Sequence, residues 1–358
     1  MAAVNGVTKS GSLDVPKKMK ALQYSGPEKF DVVWIDVPEL GDDDVLVKIS
    51  ACGVCGTDLH YHKGEFLAKW PLIPGHEATG TIVSHGSNIT HLPLNTRVVA
   101  DPMQPCQTCF HCVRRKPLLC FNMTAFGGNV PGGFAEYCRY PARLVHPIGD
   151  LSDEEAVLIE PAACAVHGIE RMGIDAGARV LLFGCGPTGM VLAQLVGLNG
   201  GAHLTIASKG GPKLDQAKKM RIADTYIEIS ESQPHIEMEA LATANPHGFD
   251  IVIEATGSPS VLESALSYVR KGGKLVVYGV YDAEVKIAWS PFRIWENEIT
   301  ILASFCSMGH MPQVLEYVRA GKLKLEGIVD KRWRVEEWAD VLEVVRKGEC
   351  VKGAIVFD

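Results

Sequence analysis

The chain has 358 residues, of which 47% are apolar and 22% are charged, and its formal net charge is −7 at pH 7. This length exceeds what one hydrophobic core usually fills, and the composition is that of an ordinary globular protein, so we expect two domains. An acidic balance without a concentrated basic run argues against nucleic acid and anionic membranes as partners, and no apolar stretch is long enough to predict a membrane span.

The predicted elements, in chain order, divide the chain into four segments. The first is a small, polar leader that lacks the apolar core of a signal peptide. A β-rich catalytic domain follows, with a strand at 19–24 and the run VLVKIS broken off by glycines. Next comes an alternation of strands and helices, which predicts a parallel sheet, and then a tail of two helices and a strand that we expect to return to the β-rich domain. These segments are 1–18, 19–160, 161–302 and 303–358.

A dinucleotide-binding segment opens the third part of the chain. Residues 179–200, RVLLFGCGPTGMVLAQLVGLNG, comprise an apolar strand, the spacing Gly184-x-Gly186-x-x-Gly189 and an apolar helix. Such glycines permit a tight turn and close approach to a pyrophosphate at a helix N-terminus. The fold class predicted is therefore α/β, with a Rossmann-type doubly wound parallel sheet beside the β-rich domain. Further along, Thr256 follows another predicted strand, DIVIEA, at the edge where such sheets bind a cofactor.

Four of the eleven cysteines are closely spaced, in the segment CQTCFHCVRRKPLLC: Cys106, Cys109, Cys112 and Cys120. Four thiolates form the closed tetrahedral shell of a structural zinc ion, and the polar residues between them argue against a buried stripe. An iron–sulfur cluster remains an alternative. A closed shell leaves no position for substrate, so a catalytic ion is expected elsewhere.

A second set of metal ligands lies in CGVCGTDLH, residues 52–60, and GHEATG, residues 75–80. Catalytic zinc takes about three protein ligands and an open position, and Cys55, His76 and Glu77 supply a thiolate, an imidazole and a carboxylate. Taken singly, such residues are more often packed or turn residues. Their occurrence in one chain with the four-cysteine segment favours a zinc enzyme.

From about residue 19 to the C-terminus the chain resembles the medium-chain zinc alcohol dehydrogenase superfamily, which has a β-rich domain of GroES-like fold. The resemblance implies that Cys55 and His76 bind catalytic zinc, while Glu77 and Glu160 are either direct ligands or close neighbours. It also implies that Thr57 and His60 relay the substrate proton to solvent, a task that suits a hydroxyl followed by an imidazole.

The segment IEPAACAVHG, residues 159–168, sharpens that resemblance. Some family members have a cysteine ligand here, whereas sorbitol and other polyol dehydrogenases have Glu-Pro, as this chain does at Glu160 and Pro161. Cys164 is an alternative ligand, but the Glu-Pro register matches without a gap. The resemblance thus implies a polyol substrate.

The second strand of the dinucleotide domain, HLTIAS, ends at Ser208, where the NAD-dependent polyol dehydrogenases that it resembles have aspartate. Lys209 and Lys213 follow. Loss of a carboxylate and gain of two ammonium groups favour a ribose 2′-phosphate, so NADP is preferred over NAD.

These observations predict an enzyme with two zinc ions per chain that transfers a hydride between a pentitol or hexitol, such as D-arabinitol, xylitol or sorbitol, and NAD(P). Two alternatives remain: a dehydrogenase of a simple alcohol, aldehyde or amino-acid hydroxyl, and a non-enzymatic nucleotide-binding protein. A zinc-free quinone or enoyl reductase would lack the cysteine segment. The family resemblance implies a homodimer or homotetramer, and the cysteine content indicates the cytoplasm.

Overall fold

The computed structural model describes residues 13–65 and 68–358, so residues 1–12 of the expected leader lie outside the described residues. The strands in chain order are β1 (Lys18–Gly26), β2 (Lys29–Asp36), β3 (Asp44–Gly53), β4 (Glu77–His85), β5 (Arg97–Ala100), β6 (Met103–Gln104), β7 (Thr124–Ala125), β8 (Tyr137–Pro141), β9 (Val145–Pro147), β10 (Ala178–Phe183), β11 (Gly201–Lys209), β12 (Thr225–Ile229), β13 (Phe249–Glu254), β14 (Val269–Val277), β15 (Thr300–Ala303), β16 (Val329–Trp333) and β17 (Lys352–Val356).

The helices in chain order are α1 (Gly56–Lys63), α2 (Asp153–Ala156), α3 (Ile159–Met172), α4 (Pro187–Leu198), α5 (Pro212–Met220), α6 (Pro234–Ala244), α7 (Pro259–Ala265), α8 (Pro291–Glu296), α9 (Met311–Arg319) and α10 (Trp338–Lys347). Short 3-10 turns occupy Cys112–Arg114, Pro117–Leu119, Ala142–Leu144, Leu266–Tyr268 and Val335–Glu337. No helix in the described residues is long and apolar enough to cross a membrane.

Two compact units divide the chain after Glu160. The first contains the described part of Met1–Glu160 together with Arg332–Glu343 and Gly353–Asp358, and the second contains Pro161–Lys331 and Val344–Lys352. The expected return from residue 303 therefore begins later, at residue 332. The reason is that β15 pairs with β14 of the parallel sheet, and the chain through α9 remains in the second unit.

The main sheet of the first unit has the order β16-β17-β3-β4-β5-β9, with β8 also paired to β3, among the strands that the structure describes. Its central strand β3 is largely buried, as its apolar sequence DVLVKISACG predicts. β3 pairs antiparallel with β4, which sets Gly53 opposite Glu77. This register brings the end of one ligand-bearing segment beside the start of the other.

The second unit is built on a parallel sheet with the order β12-β11-β10-β13-β14-β15 in the described chain. Its strands are short apolar runs, as expected where both faces of a sheet are covered. This order is that of the doubly wound dinucleotide-binding fold. Successive strands are added on one side of β10 up to β12 and then, from β13, on its other side. The predicted fold class is confirmed.

Candidate active site

The first predicted ligand, Cys55, is the N-cap of α1. Its sulfur accepts a hydrogen bond from the amide of Asp58, and the carboxylate of Asp58 accepts one from the amide of Cys55 at 2.9 Å. This reciprocal pair is a capping box, which explains why an acid stands three residues after the cysteine. The helix start therefore holds the sulfur in one place.

The segment from 75 to 80 supplies the imidazole and a buried carboxylate. His76 precedes β4, and Glu77 is its first residue, with only 1% of its surface exposed. A Cβ atom on Gly53, which faces Glu77 across the strand pair, would lie 1.9 Å from Glu77 Oε2. Only glycine at position 53 leaves room for this carboxylate.

Cys55, His76 and Glu77 converge, because one ligand atom from each lies within 4.8 Å of the other two. A thiolate, an imidazole and a carboxylate are the donors of a catalytic zinc site that keeps a position open for substrate. The residues present therefore fit zinc. Cys164 is not part of this group within the described residues.

Two further carboxylates act on His76. Asp58 Oδ1 lies 4.0 Å from His76 Nδ1, and Asp58 is almost fully buried. Burial lowers the pKa of His76, but negative charge on Cys55, Asp58 and Glu160 outweighs it and raises the pKa well above its usual value. Glu160 thus acts on the imidazole electrostatically, whereas Glu77 belongs to the convergent group. Asp58 is not part of the metal-ligand motifs in the sequence, although its place three residues after Cys55, in a capping box, was a readable signal.

The two proposed relay residues, Thr57 and His60, both lie on α1, three positions apart. Thr57 Oγ1 is 3.6 Å from Cys55 Sγ, which puts the hydroxyl beside the metal ligands. His60 Nδ1 is 2.8 Å from Glu65 Oε2, and both side chains are partly exposed. The hydroxyl is therefore near the predicted ligands, and a carboxylate partner orients the imidazole.

The four cysteines of residues 106–120 also converge, with ligand atoms within 4.8 Å of one another. Cys109 Sγ lies 3.6 Å from Cys112 Sγ and 3.8 Å from Cys120 Sγ. Bonds of about 2.3 Å in a tetrahedron separate sulfurs by about 3.8 Å, so the group fits one zinc ion. Hydrogen bonds from the amides of Thr108 and Cys109 lower the pKa of Cys106 to about 5. These spacings match a single ion rather than a multi-iron cluster.

In the second unit, the three glycines lie between β10 and α4. Gly184 has a φ of +92°, and a Cβ there would lie 2.9 Å from Thr256 Cγ2. A Cβ on Gly189 would lie 2.6 Å from the Gly184 carbonyl oxygen, whereas one on Gly186, the N-cap of α4, would meet nothing within 4 Å. The loop is thus packed on one side and open at the helix N-terminus, as a pyrophosphate requires.

A buried carboxylate that was not predicted from the sequence accepts hydrogen bonds from the loop after β13. Glu254, the last residue of β13, is fully buried. It accepts hydrogen bonds from the amide and the hydroxyl of Thr256, from the amide of Gly257 at 3.3 Å and from the Tyr281 hydroxyl. Burial and this carboxylate raise the pKa of Tyr281. An acid that directly follows the apolar run IVI at the end of β13 was the available signal.

Ser208 and Lys209 end β11, and Lys213 lies in the first turn of α5. Lys209 Nζ pairs with Glu231 at 3.0 Å, and both side chains are largely exposed. Lys213 makes no ion pair within the described chain. Of these two lysines, Lys213 is therefore the better candidate to pair with the ribose 2′-phosphate of the expected NADP.

Two family models match the chain. The alcohol dehydrogenase GroES-like domain matches residues 41–150, and the zinc-binding dehydrogenase domain matches residues 187–320. Among solved structures, a protein described as a zinc-binding dehydrogenase from Sinorhizobium meliloti 1021, bound to NADP, aligns with a TM-score of 0.89 at 30% identity. That alignment covers 96% of this chain and all of the other.

Curated relatives are similar over nearly their whole length. D-arabinitol dehydrogenase 1 of Uromyces fabae is 44% identical, with 95% of this chain and 98% of that protein aligned. Sorbitol dehydrogenase of Bacillus subtilis (strain 168) is 31% identical, with 94% and 97% aligned. The expected resemblance is confirmed: the chain belongs to the zinc-binding medium-chain alcohol dehydrogenases, among the polyol dehydrogenases of that family.

Proposed function

We propose that this protein oxidises a secondary hydroxyl of a five- or six-carbon sugar alcohol, such as D-arabinitol, xylitol or sorbitol, to the ketose, and reduces NAD(P). The observation that carries the proposal is the convergence of Cys55, His76 and Glu77 within 4.8 Å. The names of the two curated relatives support a polyol as substrate.

The positions of the side chains support the following proposed roles. Zinc held by this group supplies Lewis acidity toward the substrate oxygen, and the nicotinamide supplies the hydride acceptor. Thr57, beside the Cys55 sulfur, accepts the hydroxyl proton in exchange for its own, which it passes to His60. The Glu65 carboxylate, 2.8 Å from His60 Nδ1, fixes the orientation of the ring, and the proton passes on to solvent. Gly184 and Thr256 position the pyrophosphate loop.

Glu77 is our proposed third protein ligand, and Glu160 is the proposed neighbour that orients or exchanges with the bound water. The test compares Glu77→Gln with Glu160→Gln. Zinc content measured by mass spectrometry should fall by one ion per chain in the first variant and stay near normal in the second. Equal zinc loss in both variants would assign Glu160 as a ligand as well.

Substrate class is tested with initial rates on a panel of pentitols and hexitols against ethanol and threonine. We expect the highest kcat/KM on a polyol. Preference for ethanol or threonine would replace the polyol proposal with a dehydrogenase of simple alcohols or amino-acid hydroxyls. Cofactor binding without turnover on any substrate would indicate a nucleotide-binding protein.

For the cofactor we propose NADP over NAD. Ser208 carries no charge that would repel a 2′-phosphate, and Lys213 lies one turn further along at the start of α5. The NADP-bound relative supports the same choice. Ser208→Asp should shift the ratio of kcat/KM values toward NAD, and Lys213→Ala should weaken NADP alone. Lys219→Ala, at the exposed end of the same helix, is the control. Equal rates with both cofactors in the unmodified protein would contradict the proposal.

We further propose two zinc ions per chain, a homo-oligomer and a cytoplasmic location. The two convergent ligand sets support the stoichiometry, and no disulfide joins any of the eleven cysteines in the described chain, which suits a reducing compartment. Phe292 and Trp295 on α8 are 63% and 75% exposed, which supports association through this helix. Trp295→Ser should lower the mass measured by light scattering, and an unchanged mass would point to another interface.

A further inference from the structure

A third convergent group of histidine and carboxylate side chains lies in the second unit, outside both predicted zinc ligand sets. His167, at the end of the AACAVHG stretch that follows Glu-Pro, has no role in the proposed reaction. It shares α3 with Glu170, and His310 is the N-cap of α9. One ring nitrogen from each histidine and one carboxylate oxygen lie within 4.8 Å of one another.

Helix geometry places the first two ligands together. Residues three apart on an α-helix project from the same face, so the His167 and Glu170 side chains are neighbours. His310 reaches them from the start of another helix, with its Nε2 3.1 Å from Glu170 Oε2 and its ring centroid 5.2 Å from that of His167. Two segments far apart in sequence thus meet through these three side chains.

The burial of the three groups suits an ion that enters from solvent. His310 is mostly buried, with its side chain 16% exposed, while Glu170 is 54% exposed. The His310 ring is therefore largely shielded from solvent, whereas the exposed carboxylate of Glu170 can adjust its position. Metal bonds of about 2.0–2.1 Å in a tetrahedron hold ligand atoms roughly 3.4 Å apart, so only a small side-chain rotation separates the present positions from coordination.

His310 also lacks a full set of hydrogen-bond partners. Its Nδ1 is buried and has no partner within the described residues, so the ring is held by Glu170 alone among hydrogen-bonding groups. A hydrogen bond to a half-exposed carboxylate stabilises such a ring only weakly. An ion shared by both imidazoles and the carboxylate would hold it more firmly.

We propose that His167, Glu170 and His310 form an accessory site for one divalent transition-metal ion of the kind that imidazole prefers, Zn²⁺, Ni²⁺ or Cu²⁺. Three ligands leave a position for water, and the ion links α3 to the start of α9. The site is independent of the proposed polyol oxidation, since it uses none of the residues assigned to that reaction.

The test begins with the full-length protein as purified, with its zinc content measured. Titration calorimetry with Zn²⁺ should then show one additional ion bound per chain. His310→Gln should abolish this binding, and Glu170→Gln should weaken it by about tenfold or more. His235→Gln and His247→Gln, which replace exposed histidines elsewhere in the second unit, should bind like the unmodified protein.

A spectroscopic measurement needs no variant that could fail to fold. Cu²⁺ added to the zinc-loaded protein, with zinc retention verified, should give an electron paramagnetic resonance spectrum with coupling to two imidazole nitrogens. Added Zn²⁺ should also raise the melting temperature of the unmodified protein and not that of His310→Gln. No additional Zn²⁺ bound, a His310→Gln variant that binds normally, or a Cu²⁺ spectrum without nitrogen coupling would each overturn the proposal.

Discussion

Replacement of Glu254 by glutamine tests whether a buried carboxylate holds the loop that packs against Gly184. Four hydrogen bonds end on the Glu254 carboxylate. One of its oxygens accepts from the amide and the hydroxyl of Thr256, and the other accepts from the Gly257 amide and the Tyr281 hydroxyl. Glutamine has one oxygen and one amino group. A hydroxyl can turn to accept from that group, but a main-chain amide cannot, so either orientation leaves one partly buried main-chain amide without an acceptor.

An unsatisfied buried amide costs about 1–3 kcal/mol. For a domain of this size, a loss of about 2 kcal/mol lowers the melting temperature by roughly 4–8 °C. Because Thr256 Cγ2 packs where Gly184 has no side chain, we also expect weaker cofactor binding, measured by quenching of protein fluorescence. Tyr281→Phe keeps the carboxylate and is the matched control, with a smaller effect expected. Glu254→Gln with unchanged melting and cofactor affinity would refute this role of the carboxylate.

Three more predictions concern the first unit. Gly53→Ala should displace Glu77, remove one zinc and lower kcat/KM by about 10²-fold. Gly56→Ala, whose Cβ would meet nothing within 4 Å, should have none of these effects. Normal zinc content in Gly53→Ala would contradict the prediction. Cys109→Ser should remove the other zinc and lower the melting temperature while Cys55-dependent zinc remains, and an unchanged metal content would argue against a zinc site there. Burial lowers the pKa of His146 below the unfolded value of about 6.5, so its contribution to stability is complete above that pH and is lost as the pH falls. Unfolding measured between neutral and acidic pH should show a smaller acid loss in His146→Gln; an identical loss would exclude this group.

The groups of side chains that converge could be predicted from sequence because spacing and residue type indicate metal-ligating chemistry. Short sequence segments contain Cys55, His76 and the four closely spaced cysteines. The structure brings the side chains of each predicted set together. The strand at 19–24 and the helices of the C-terminal part were likewise readable from apolar periodicity, and β1, α9 and α10 lie where they were expected.

The remaining site residues act through contacts that no local pattern encodes. Gly53 matters because strand pairing sets it opposite Glu77, and that register depends on the whole β3–β4 pair. The role of Glu254 depends on its hydrogen bond with Tyr281, which follows β14, the next strand in the chain. The late return of the chain to the first unit depends on strand pairing as well. All three features depend on contacts between segments that are separated in the sequence, and a local sequence pattern does not reveal such contacts.

The position of β17 has a consequence for how the protein is made. β17 pairs with the end of β3, matching Ala354 with Gly53, and the amide of Val54 donates to the Gly353 carbonyl oxygen, next to Cys55. Translation at about 5–20 residues per second separates Gly53 from Lys352, about 300 residues later, by roughly 15–60 s. The main sheet of the first unit therefore stays without β17 until the second unit has been synthesised.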